Sequence, residues 1–154
     1  MISFYCCKSF GRLKACMSSN NRIVSVVDDD IYIIKLFHEA LSENIDGISV
    51  FSFNDPIMAF QHFTENKENY ALVISDLRMP GLNGLELLKK VKTSNPNVRT
   101  ILMSAYNFEE EELYQSYMIE AVINSTIAKP VTMIRLFQTV RYELDAYQSA
   151  SHLK

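Results

Sequence analysis

Acidic side chains stand in two places where a hard cation could be gathered: Asp28, Asp29 and Asp30 directly follow the β-branched run 23–27, and Asp76 follows the apolar run 71–75. A hydroxyl, Ser104, follows the run 99–103, and an amine, Lys129, stands between the run 125–128 and Pro130. Two carboxylates about 4 Å apart repel by about 1 kcal/mol in water and by about 4 kcal/mol at an effective dielectric of 20. A cation relieves that repulsion, and ligands that are all oxygen argue for Mg²⁺, which keeps several waters and binds beside phosphate. A carboxylate next to such an ion can attack phosphorus and form an aspartyl phosphate. The ion, an ammonium and a hydroxyl then stabilise charge on the phosphoryl oxygens, roles that Lys129 and Ser104 could fill around Asp76. His38, His62 and His152 are scattered, and Cys6, Cys7 and Cys16 all lie in the first sixteen residues, so neither type forms a ligand cluster in the body of the chain.

These residues can meet only if the elements carrying them are neighbours. The runs IVSVV (23–27), ISVFSF (48–53), ALVIS (71–75), RTILM (99–103) and STIA (125–128) read as strands with little polar content. Amphipathic stretches separate them. The first runs from Asp30 to near Gly47, with Ile33, Leu36, Phe37, Ala40 and Leu41 as its expected apolar stripe. Asn54-Asp55-Pro56 opens the second through Ala59, Phe60 and Phe63. The third puts Leu85, Leu88 and Val91 on one face and stops at Asn95-Pro96-Asn97. Glu109 to Glu112 are expected to open the fourth, where carboxylates suit the positive end of the helix dipole. The fifth runs from about Thr132 with Met133, Leu136, Val140, Leu144 and Tyr147 as its stripe. Strict alternation of five strands and five helices implies an α/β fold, a doubly wound five-stranded parallel sheet with helices on both faces. In such sheets a ligand sits outside the carboxyl ends of the strands, where Asp28, Asp29, Asp30, Asp76, Ser104 and Lys129 would be carried.

Composition narrows the classes further. The 154 residues are 48% apolar and 21% charged, with four Gly and four Pro, enough for one domain with a real core and too little for two. Fifteen basic residues against eighteen acidic ones give a net charge of −3, the wrong sign for binding nucleic acid through phosphate neutralisation. No apolar run approaches the roughly 18 residues of a membrane span, and Lys8 interrupts the apolar opening before it could form a signal-peptide core. A reducing cytoplasm is the expected setting. Lys8, Arg12, Lys14 and Arg22 leave the first 22 residues basic without any acid. The expected division is a tail over 1–20, a domain over 21–148 and a short tail over 149–154. Met17 is an alternative start.

VVDDD (26–30), LVISDLRMPGLNG (72–84), ILMSAY (101–106) and IAKPV (127–131) together resemble the motif set of two-component response regulator receiver domains, over about residues 21–148. The resemblance implies a flavodoxin-like strand order 2-1-3-4-5. It implies Asp76 as phospho-acceptor, Asp28 and Asp29 as the acidic pair for Mg²⁺, with Asp76 and the backbone carbonyl of Arg78 completing the protein ligands. Ser104 would be the switch hydroxyl and Lys129 the phosphate-pairing lysine, joined to Pro130 by a cis peptide. Asp30 is open between a helix cap and a further acid. The position three before Lys129, where the family has an aromatic switch residue, is Thr126. Tyr106 is the nearest aromatic substitute, and with Arg78 it is a candidate to control water access to the acyl phosphate.

The implied partners are a sensor histidine kinase or phosphotransfer protein and an unnamed downstream protein, met on the face of the fourth helix, fifth strand and fifth helix through Tyr114, Tyr117, Met118 and Tyr142. That face is also the candidate for a homodimer. With no output domain expected in this length, the signal would pass to another protein. Two other readings stay open. One is a phosphorylation-independent pseudo-receiver that works as an interaction module. The other is an aspartate-nucleophile phosphohydrolase of the haloacid dehalogenase type, which wants an acid two residues past the nucleophile where this chain has Arg78.

Overall fold

A computed structural model describes residues 22–105 and 112–153. Five strands, β1 (Arg22–Val27), β2 (Ile48–Phe53), β3 (Tyr70–Asp76), β4 (Arg99–Ser104) and β5 (Ser125–Ala128), form one sheet in the order β2-β1-β3-β4-β5. Every pairing is parallel. The helices are α1 (Ile31–Asn44), α2 (Pro56–Asn66), α3 (Gly84–Ser94), α4 (Glu112–Ile119) and α5 (Met133–Ser151), with a 3-10 turn at Lys67–Asn69 before β3. α1 and α5 cover one face of the sheet, packing Ile34, Phe37, Leu136 and Val140 on Val24, Val26 and Ile101. α2 and α3 cover the other, with Phe63, Leu88 and Val91 on Val27 and Val73 and with Tyr117 of α4 against the same cluster.

The helix starts follow from local chemistry. Asp30 caps α1, its carboxylate accepting from the backbone N–H of Tyr32 and of Ile33. Asp55 caps α2 by accepting from Ile57 N–H with Pro56 in the first turn, where a missing N–H costs nothing. Asn83 and Thr132 cap α3 and α5 in the same way. α4 begins at Glu112; the expected earlier opening at Glu109 to Glu111 lies outside the described residues, as do Tyr106 and the three cysteines.

The expected stripe of α1 needs one correction. Leu36 is 49% exposed, and Ile34, at 8%, takes the core position beside Phe37 and Leu41. Apolar residues at 31, 33, 34, 36 and 37 allow two helical phasings, and packing on the sheet selects the one through 34, 37 and 41.

Candidate functional site

The strand order reverses direction between β1 and β3, because the chain winds outward from β1 to β2 and then crosses back to β3. The site lies at the carboxyl ends of those two strands. Asp28 follows β1, tied to β2 by its N–H donating to the Phe53 carbonyl at 3.2 Å. Its side chain is buried, with Oδ1 accepting from Asp30 N–H at 2.9 Å and Oδ2 from Lys129 Nζ at 3.1 Å. Asp76 ends β3, also buried, with Oδ1 2.8 Å from Lys129 Nζ. Asp29 is exposed at the rim. Asp28, Asp29 and Asp76 each turn one carboxylate oxygen to within 4.8 Å of the others, the arrangement of donors that suits a hard divalent cation.

Lys129 reaches this point because β5 ends one residue earlier and its own N–H donates to the Ser104 carbonyl at 2.8 Å. Ser104 ends β4 and is buried. The Lys129-Pro130 peptide is cis, as the resemblance implied. Burial pushes the Asp28 carboxyl above its ordinary range, against the pull of Asp30 N–H and Lys129, and the neighbouring Asp76 charge adds to the rise. Burial works to lower Lys129 as well, but its hydrogen bonds to Asp76 and Asp28 outweigh it and hold the ammonium above its usual value. Both shifts upward are compatible: the ammonium gains two carboxylate partners, while burial penalises the Asp28 charge more than its share of that one ammonium returns.

The remaining expected residues divide. Arg78 is exposed two residues past Asp76. Thr126 sits half-buried on β5, paired with Leu102 of β4. Asp30 is spent on the α1 cap, which resolves the choice left open by its sequence. His38 and His62 are not gathered at the site; their ring Nδ1 atoms meet Ser52 Oγ at 3.1 Å and Tyr70 Oη at 2.7 Å. Tyr142 and Met118 are exposed at 66% and 44%, whereas Tyr117 is half-buried in the core; the Tyr114 side chain lies outside the described residues.

Two features escaped sequence reasoning. A β-carbon on Gly84 would lie 2.1 Å from the Asp76 carbonyl oxygen, so only glycine lets α3 start against the end of β3. Glu143 of α5 is fully buried in contact with Arg99 and Ser125. Its signal was an acid at spacing three and seven from Val140 and Leu136, on the apolar stripe itself.

The Response regulator receiver domain profile matches residues 24–141. The chain is 31% identical over 121 residues to Sporulation initiation phosphotransferase F of Bacillus subtilis, spanning 79% of this chain and 92% of that protein. It is similar to a two-component response regulator of Arabidopsis thaliana, 26% identical over 123 residues that span 80% of this chain and 84% of the relative. Against a hydrogenase transcriptional regulatory protein of Cupriavidus necator, 29% identical over 130 residues, it spans 26% of a longer protein. A response regulator receiver domain from Clostridium thermocellum superposes with a TM-score of 0.73 at 24% identity, over 84% of this chain and 98% of that one. A CheY-like receiver domain from Methanospirillum hungatei gives 0.72 at 23%, over 84% and 98%, and both share the fold. The chain therefore belongs to the response regulator receiver domains of two-component signal transduction.

Proposed function

We propose that Asp76 accepts a phosphoryl group from a phosphohistidine of a sensor histidine kinase or phosphotransfer protein, in a Mg²⁺-dependent reaction, and that the chain signals onward through protein contacts or further phosphotransfer. The observation that carries the reading is the single ammonium of Lys129, 2.8 Å from Asp76 and 3.1 Å from Asp28, beside three converging carboxylates. Asp28, Asp29, Asp76 and the backbone carbonyl of Arg78 would hold the cation, and Arg78 at that place also leaves no second acid of the kind a dehalogenase-type hydrolase uses. A bound Mg²⁺ supplies charge neutralisation on the transferring phosphoryl oxygens.

An Asp76 carboxylate oxygen attacks phosphorus in line; the bond from phosphorus to the donor imidazole nitrogen breaks, and the imidazole departs with that electron pair. Lys129 then pairs with a phosphoryl oxygen in place of the Asp76 oxygen it holds beforehand, and the Ser104 hydroxyl donates to another. Beyond this the chain is a phospho-acceptor, with at most slow self-phosphorylation from small donors and slow self-dephosphorylation. Arg78 and Tyr106 would regulate water access to the acyl phosphate, with Thr126 in the place of an aromatic switch residue. Exposed Ile134 and Tyr142 of α5 with Met118 of α4 offer apolar area for a downstream protein or a second copy. With Cys6, Cys7 and Cys16 all in the first sixteen residues the domain carries no cysteine pair, which supports a reducing, cytoplasmic setting, and among the described residues no helix is long and apolar enough to cross a membrane. The domain would occupy about residues 21–148.

The test is intact mass after incubation with Mg²⁺ and acetyl phosphate or phosphoramidate. The expected result is a Mg²⁺-dependent gain of one phosphoryl group, lost in Asp76→Asn. No adduct under any condition overturns it in favour of a pseudo-receiver, and rapid multiple turnover of phosphate esters overturns it in favour of a hydrolase.

A further inference from the structure

At the opposite, amino edge of the sheet a second polar cluster joins three elements. Glu143, in the middle of α5, has 0% of its surface exposed. Its Oε2 accepts from Arg99 Nε at 2.5 Å, and its Oε1 accepts from the Ser125 hydroxyl. Arg99 is the first residue of β4 and Ser125 the first of β5. A carboxylate fully withdrawn from water is retained only with such partners, and either partner left alone is costly. The cluster therefore resists sliding of α5 over the start of both strands.

The strand it grips is the shortest of the sheet. β5 has four residues, lies at the sheet edge and pairs with β4 alone. Its amino end is held by Glu143 and by Asn124, whose Oδ1 accepts from Thr100 N–H at 3.0 Å. Its carboxyl end runs straight into Lys129, whose N–H donates to Ser104. Pro130, Val131 and Thr132 then lead into α5. The short segment that carries Lys129 is thus suspended between β5 and α5, and Glu143 is bonded to one of these and belongs to the other.

We propose that Glu143 is a positioning residue for Lys129: by locking α5 to the first residues of β4 and β5, it holds the intervening turn so that Lys129 Nζ meets Asp76 and Asp28. This rests on the reading of Lys129 as the group that pairs with the phosphoryl oxygens at Asp76. A displacement of about 1 Å in such a group can cost up to about 100-fold in rate. The glutamine variant keeps the shape but loses the charge that binds Arg99, so a partial loss follows.

The experiment is a cycle of Glu143→Gln, Lys129→Ala and the double variant in the full chain. The reading is the initial rate of Asp76 phosphorylation by phosphoramidate at saturating Mg²⁺, at a temperature where circular dichroism shows every variant folded. Glu143→Gln is expected to slow the reaction about 10-fold alone and to leave the Lys129→Ala rate unchanged. An equal slowing in both backgrounds, or none in either, overturns the proposal. Ser125→Ala, which removes one hydrogen bond and keeps the ion pair, carries the same test with a smaller effect should Glu143→Gln fail to fold. A second reading needs no phosphorylation: the ¹⁵N resonance of Lys129 Nζ shifts in Glu143→Gln and stays in place in Gln138→Ala, whose side chain is exposed on the same helix. An unchanged Lys129 resonance in Glu143→Gln also overturns the proposal. Wild-type chain that takes up no phosphoryl group refutes the proposed function, while this resonance still decides the role of Glu143.

Discussion

Gly84 lies against the backbone of Asp76 so closely that a β-carbon at 84 would meet the Asp76 carbonyl oxygen at 2.1 Å and the Leu102 side chain at 3.0 Å. The Gly84 N–H donates to the Leu77 carbonyl at 2.9 Å, so the start of α3 and the end of β3 cannot simply separate. Gly84→Ala is expected to destabilise the fold by about 1–3 kcal/mol through overpacking. Because the displaced group is the backbone of Asp76, phosphorylation measured on the folded fraction should fall as well. Urea midpoints and intact-mass rates check the two effects separately.

Lys129 is a cationic partner of both Asp28 and Asp76. Lys129→Ala leaves two buried carboxylates facing each other, and stability in EDTA should drop by about 1–3 kcal/mol. A divalent cation supplies the missing charge, so adding Mg²⁺ should recover most of that loss and raise Tm more in the variant than in wild type. Calorimetry with and without Mg²⁺ measures the difference; equal gains in both proteins would contradict replacement of the lysine charge by the cation, and no gain in either would contradict cation binding at these three acids.

Asp30 caps α1 with its side chain and holds Asp28 only through its backbone N–H. Asp30→Ala should therefore cost about 1 kcal/mol of stability, the usual value of an N-cap, with Mg²⁺ affinity nearly unchanged. Asp29→Ala should do the reverse, weakening Mg²⁺ with little effect on stability, since Asp29 is exposed and caps nothing among the described contacts. Parallel metal titrations and thermal melts distinguish the neighbours.

His62 lies between Phe51, Phe53 and Tyr70, and burial lowers its pKa below the ordinary 6.5, with Glu65 opposing. The unfolded chain then binds a proton at His62 before the native one does. Its contribution to stability is complete above about pH 6.5 and declines as pH falls from there through the lowered native value. Urea midpoints of wild type at pH 7.5 and 5.5 should therefore differ more than those of His62→Gln, whose glutamine does not titrate.

Much of the architecture was readable locally. β2 and β5 occupy the runs expected for them, 48–53 and 125–128, because short β-branched segments flanked by Asp, Asn, Gly or Pro leave little choice of boundary. The starts of α2 at Asn54-Asp55-Pro56 and of α5 near Thr132 were readable from residue type, and the structure puts the caps at Asp55 and Thr132. The stripe of α1 was not, since crowded apolar residues permit two phasings and burial against the sheet chooses between them. Glu143 was passed over because an acid on an apolar stripe acquires meaning only from its partners, 44 and 18 residues away in the chain.

What the sequence determined alone is the inventory and its order: an acid pair after the first strand, an acid after the third, a hydroxyl after the fourth and a lysine after the fifth. Those are properties of residue type and local spacing. Only the tertiary structure decided how they share the work, because Lys129 and Asp28 are 101 residues apart and meet through the parallel pairing of strands. That pairing gives one ammonium two carboxylates, turns Asp30 away to cap α1, leaves Asp29 at the rim, and closes α3 on Asp76 at a point where only glycine fits.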